Sequence, residues 1–166
     1  MSEKHRRYFL KEKEAKTLLT EVSQKAGLNL EQILKSKVNL EIVQTDFAQI
    51  FLIKNKPILA RIGDQVFPTL MFDEALSPIS RVVVDMGAIP HVCNGADIMA
   101  PGIVRVHGDI KKGNFVFVVD EKFGKAIAVG KALCDMNEAT KPRQGVVIRN
   151  THFVGDRLWN FIKETK

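Results

Sequence analysis

Two cysteines in 166 residues, Cys93 and Cys134, stand far apart and in no C-x-x-C pair. They exclude a disulfide scaffold and a self-contained zinc finger, and both read as buried thiols. The four histidines, His5, His91, His107 and His152, are scattered without H-x-x-x-H or H-E-x-x-H spacing, so no metal is expected. Long apolar runs are missing too. Ile50–Ile53 and Phe115–Val119 are four and five residues, against the ~20 that cross a bilayer, so no transmembrane helix and no membrane partner are expected. The charged stretch Met1–Arg7 leads into Lys11, Glu12, Lys13 and Glu14, where a signal peptide needs apolar residues, and a cytoplasmic location follows as the expectation. Ser77 and Ser80 have no nucleophile-elbow glycines, and neither a G-x-x-x-x-G-K-[ST] loop nor a G-x-G-x-x-G turn occurs. No catalytic residue and no cofactor are assigned.

What is present describes an ordinary globular chain, 45% hydrophobic and 27% charged with a mean hydropathy of −0.05. The length suits one medium domain or two small ones. Lys and Arg outnumber Asp and Glu 25 to 19, a formal +6 with a pI of about 9.4, which favours polyanionic partners. Residues 1–37 hold nine basic and five acidic side chains, so this charge is concentrated at the front.

Tyr8, Ala15, Leu18, Leu19, Val22 and Ala26 recur at helical spacing and predict an amphipathic helix over 8–26, closed by Gly27. Asn29 and Gln32 resemble a capping box for a second short helix ending near Ser36. A β-meander follows: alternation from Val38 to Ile42, a β-rich run over 47–54, a break at Asn55-Lys56-Pro57, then strands at 58–62 and 66–70 around Gly63-Asp64. The segment Asp73–Pro78 breaks the pattern, which places a domain boundary there: 1–76 and 77–166. In the second part a strand at 81–84, a short helix at 87–93 with Pro90 in its first turn, strands at 114–120 and 125–134, a helical turn at 137–140 and strands at 145–148 and 158–161 predict a small closed or half-open barrel. The fold class is α+β. Trp159 and Phe161, alternating along the last strand, are expected in the core.

The stretch from Val84 to Ile103 is more elaborate than packing requires. Gly95 directly after a helix suits φ > 0, and Pro101-Gly102 fixes a second bend, so that two turns face one short helix. Such a pair can leave unpaired N–H and C=O groups in a shallow groove, suited to a base edge or a phosphate. The residues Gly95-Ala96-Asp97-Ile98-Met99-Ala100-Pro101-Gly102-Ile103 resemble the hallmark of the PUA domain, the RNA-binding module named after pseudouridine synthases and archaeosine transglycosylases. Val118-Val119-Asp120 through Ala128-Val129-Gly130 fits the hairpin that follows in that family. The leader, the V-D-x-G-A-I run from Val84, and the closing Asn150, His152, Asp156, Leu158 and Trp159 are similar to the malignant-T-cell-amplified-sequence family and its archaeal relatives. The resemblance implies a small helical and β-meander N-terminal domain followed by a PUA pseudo-barrel. It also implies a role in translation initiation and recycling on the small ribosomal subunit, with tRNA or rRNA as the structured RNA bound and a density-regulated-type protein as partner.

On that resemblance the candidate RNA contacts are Gly95, Ala96, Met99, Pro101 and Gly102, with phosphates held by basic residues nearby. Arg105, Lys112 and Lys131 are the foremost of these, beside Lys111, Lys125 and Arg149. The leading basic set, Lys4, Arg6, Arg7, Lys11, Lys13 and Lys16, is interleaved with Glu3, Glu12 and Glu14, and pairing such as Glu12 with Lys16 accounts for much of it. A second RNA- or protein-facing surface is the other reading of that set. Two rivals share the same residues: a protein-interaction adaptor at the ribosome, and an RNA-binding accessory subunit of an RNA-modifying enzyme.

Overall fold

In the computed structural model, which describes residues 6–26, 39–71 and 80–164, the chain divides into two units, Met1–Leu76 and Ser77–Lys166. In the first, β1 (Arg6–Phe9) precedes α1 (Glu12–Ala26), and β2 (Leu40–Gln44), β3 (Gln49–Ile53), β4 (Lys56–Ile62) and β5 (Gln65–Pro68) follow. The five strands form an antiparallel meander in sequence order. Ala15, Leu18, Leu19 and Val22 supply the buried stripe of α1 at i, i+3, i+4 and i+7, while Glu12 and Glu14 at its start and Lys25 at its end suit the helix dipole.

The helix therefore begins at Glu12, not Tyr8. Arg6–Phe9 joins the sheet edge instead, Arg6 opposite Gln44 and Phe9 opposite Glu41, and Arg7 pairs with the Glu41 carboxylate and donates to Asn55 Oδ1. Tyr8 matches the helical period of Ala15 only by coincidence; strand pairing satisfies its backbone. β4 also starts earlier than the break at Asn55–Pro57 suggests, because Lys54 and Asn55 take φ of 50° and 68° and close a two-residue hairpin turn by themselves. The short helix expected over 29–36 and the break at 73–78 lie outside the described residues.

In the second unit β6 (Arg81–Val84), α2 (Ile89–Val92), β7 (Ile98–Met99), a 3-10 turn (Ala100–Gly102), β8 (Ile103–His107), β9 (Phe115–Asp120), β10 (Ala126–Ala132), β11 (Val146–Phe153) and α3 (Arg157–Glu164) follow in order. The sheet order is β7-β11-β10-β9-β6-β8, with β6 and β9 parallel and every other pair antiparallel. Its two end strands, β7 and β8, are joined by a turn of three residues. The sheet must curl until those ends approach, which makes a pseudo-barrel. Val82, Val84, Val116 and Val118, alternating along adjacent strands, fill it with Ile98, Ile103, Ala128 and Ile148. Cys93 and Cys134 are half-buried against this core as free thiols, and burial pushes the Cys93 thiol up. Among the described residues no helix is long and apolar enough to cross a membrane.

Three local expectations need correction. Residues 157–164 are a helix rather than a strand at 158–161, because Asp156 caps it: Asp156 Oδ1 accepts the Trp159 N–H at 2.7 Å and its carbonyl accepts the Asn160 N–H at 3.0 Å. Leu158 and Ile162, four apart, are the buried pair, so Trp159 and Phe161 are half-buried flanks, Trp159 with the Lys163 amine 5.2 Å from its ring. Residues 137–140 form a bend held by Asn137 Oδ1, which accepts the N–H groups of Ala139 and Thr140. Finally, the strand β8, unforeseen in the sequence, pairs with β6.

Gly130 lies where β10 shifts register against β11. A Cβ there would fall 2.3 Å from Ile148 Cγ2 and 2.9 Å from the Arg149 carbonyl oxygen. Gly130→Ala is expected to cost about 1–3 kcal/mol through overpacking, read as a lower Tm in calorimetry. An unchanged Tm would mean that β11 yields freely.

Candidate nucleic-acid interface

Asp85 organises the approach to α2. Its N–H donates to the Gly102 carbonyl at 3.0 Å, and its Oδ1 accepts the Ala88 N–H at 2.9 Å. The Pro-Gly turn is thereby tied to the start of the helix, where a side chain on Gly102 would touch the Ala88 methyl at 3.5 Å. At the other end of α2 Gly95 takes φ of 94°. The Ala96 N–H donates to His91 O and the Gly95 N–H to Val92 O, both at 3.0 Å, the paired bonds of a Schellman cap. A Gly95 side chain would also press on the Phe153 ring at 3.3 Å.

These bonds change the expected chemistry of the groove. The amides of Gly95 and Ala96 close the helix and are not offered to a ligand. Asn150 on β11 takes the facing carbonyls: its Nδ2 donates to Val92 O and Ala96 O, each at 3.0 Å, and its own N–H donates to Asp97 Oδ1 at 2.9 Å. The Ala100 N–H donates to Gly145 O at 2.8 Å. What faces solvent is a side-chain surface over a backbone turn braced by these bonds.

That surface has an apolar part and a basic part. Met99 and Val146 face each other across β7 and β11 and are 48% and 44% exposed. Lys131 and Arg149 stand directly opposite each other on β10 and β11, neither forming an ion pair among the described residues. Like charges in that position repel, so the pair favours a bound anion.

Family comparison agrees with this architecture. Residues 80–154 match the PUA domain model and residues 6–72 match a domain of unknown function (DUF1947). An uncharacterized protein of Methanocaldococcus jannaschii is 43% identical over 157 residues, covering 94% of this chain and 96% of the relative. The solved structure of a conserved PUA domain protein from Thermoplasma acidophilum is 34% identical, with a TM-score of 0.72 over 95% of this chain and 99% of that one. The chain belongs to the PUA-domain proteins. Translation machinery-associated protein 20 of Saccharomyces cerevisiae is 28% identical over 146 residues, 81% of this chain and 79% of the relative.

Within this PUA domain the hallmark residues Gly95, Ala96, Met99, Pro101 and Gly102 lie on the Schellman cap, β7 and the 3-10 turn, a stretch termed the rim, with Gly102 half-buried and the others exposed. Lys131 lies on β10 opposite Arg149 on β11, the strand that pairs with β7. Arg105 is exposed on β8, past the 3-10 turn. Lys112 is exposed in the segment before β9, its N–H held by Asp135 at 2.7 Å, while Lys111 pairs with Asp109 at 3.6 Å and Lys125 sits on the β9–β10 turn. Asn150 carries no charge and no reactive group, so its bracing role is visible in the sequence only as part of a motif. Lys141, whose amine donates to Ile103 O at 2.9 Å, has no sequence signal that sets it apart from other lysines.

Proposed function

We propose that this chain binds structured RNA in translation without catalysing a reaction on it. In this reading residues 77–166 form the RNA-binding domain, and residues 1–76 form a separate α+β domain. The observation that carries it is the Lys131–Arg149 pair, a cross-strand repulsion beside the exposed Met99–Val146 surface and the hallmark rim. Phosphates neutralise such a pair and release counterions. Met99 and Pro101 offer apolar contact to an unstacked nucleotide. The RNA we assign is the acceptor end of tRNA, held on the small ribosomal subunit during initiation or recycling. Support comes from relatives bearing translation-associated names over most of the chain.

The test is an anisotropy titration of labelled tRNA, with and without its terminal CCA, at two salt concentrations. Removing CCA is expected to weaken binding. Gly95 is a poor probe, since any side chain at its φ strains the cap. Lys131→Ala with Arg149→Ala serves better. It is expected to weaken binding about tenfold and to flatten the salt slope by about two phosphate contacts. Affinity equal to wild type in this double variant, or equal binding of both tRNAs, counts against the reading.

A further inference from the structure

We propose that Phe123, at the tip of the β9–β10 hairpin, is a base-stacking contact that extends the RNA surface beyond the hallmark rim; this rests on the RNA-binding reading above. The residue is 73% exposed, the most of any large apolar residue among those described. The tip that carries it is tightly held. Asp120 Oδ1 accepts the Phe123 N–H at 2.5 Å, Oδ2 accepts the Lys125 N–H at 3.1 Å, and the Asp120 carbonyl accepts the Gly124 N–H at 3.1 Å. Burial raises the Asp120 pKa, but the N–H groups of Phe123, Lys125, Lys122 and Gly124 outweigh it and hold the carboxyl below its usual range. The turn is thus fixed at neutral pH, and the backbone that presents the ring is set before any ligand arrives.

The surroundings select the occupant. The Lys122 amine lies 5.3 Å from the Phe123 ring centroid, and Lys125 is exposed two residues on. Glu121, the one exposed acid of the tip, is drawn back to accept the Met86 N–H at 3.2 Å. An exposed ring with one ammonium group beside it and a second exposed lysine two residues on suits an unpaired base on a phosphate backbone. The tip is also continuous with the hallmark rim: Glu121 N–H donates to Val84 O at 3.1 Å, and the neighbouring Asp85 N–H donates to Gly102 O at 3.0 Å. The end of β6 and the adjoining Asp85 thus support both the tip and the Pro-Gly turn.

The experiment uses the full chain and the same CCA-ended tRNA, with Phe123→Ala, Phe123→Leu and Phe123→Trp compared with wild type. Because the ring is exposed, all three substitutions should leave the Tm unchanged. Alanine and leucine are expected to weaken binding about tenfold with the salt slope intact, and tryptophan to keep it. Wild-type affinity in Phe123→Ala, while the Lys131/Arg149 double variant is weakened, overturns this inference and leaves the broader reading standing. Wild-type affinity in Phe123→Leu overturns it too, since the ring would then be only an apolar contact, as for a protein partner. If wild type binds no tRNA, both fall.

Discussion

Asp156→Ala is expected to destabilise the second unit by about 3 kcal/mol, lowering its Tm by roughly 10–20 °C. One carboxylate serves three groups. Oδ1 accepts the Trp159 N–H at 2.7 Å and so caps α3. Oδ2 accepts the Phe153 N–H at 3.0 Å and lies 2.7 Å from His152 Nδ1, which must carry the proton because an ionised carboxylate only accepts. A lost cap alone costs about 1 kcal/mol. The rest comes from His152, 1% exposed, whose ring would stay buried without the carboxylate it faces. Urea denaturation at pH 7 measures the sum, and a loss below about 1 kcal/mol would show that water replaces the carboxylate at little cost.

The same residue sets part of the acid sensitivity. Burial raises the Asp156 pKa, but the His152 hydrogen bond and charge, with the Trp159 and Phe153 N–H groups, outweigh it and hold the carboxyl low. A folded pKa below the unfolded value of about 3.9 means that the unfolded chain binds more protons on acidification. The stabilisation is present above about pH 4 and is lost as pH falls through the folded pKa. Asp156→Ala should remove its share of that decline, so the variant and wild type converge as pH drops below about 4. Asp120 keeps a share in both.

Strands such as Arg81–Val84 and Phe115–Asp120 are legible as short, near-continuous runs of β-branched and aromatic residues, buried along almost their whole length. Leu158–Phe161 misleads for a reason that lies outside its own pattern. Four residues holding three apolar side chains fit either period, and the deciding signal is Asp156, a cap that the sequence shows only as part of a motif. Tyr8 and Phe9 mislead in a similar way, since the strand state of Arg6–Phe9 comes from β2, more than thirty residues on. For the interface, the identity of the rim is visible in Gly95 to Ile103, but its chemistry is not. Whether the Gly95 amide points at a ligand or at Val92 O depends on the cap closing, and whether Lys131 meets Arg149 depends on a register set across a bulge.

Asn150→Asp tests the brace beneath that rim, and its expected effect is as large, about 3 kcal/mol at pH 7. The amide uses both hydrogens, one on Val92 O and one on Ala96 O, while Oδ1 is buried with no hydrogen-bond partner among the described residues. Aspartate is nearly the same shape, yet it sets an anion against two carbonyl oxygens with no donor to offer. Asn150→Ala, which removes the donors without adding charge, should cost less, about 1–3 kcal/mol for the carbonyls left unsatisfied. Acidification toward about pH 4 puts a proton on the introduced carboxylate and returns one donor, so this deficit narrows as pH falls. Because Val92 and Ala96 flank the Gly95 cap, losing the brace should also weaken tRNA binding at pH 7 beyond what lost stability explains. A folded Asn150→Asp protein with wild-type tRNA affinity would mean that the rim holds its shape through the Schellman cap and the Asp85–Gly102 bond alone.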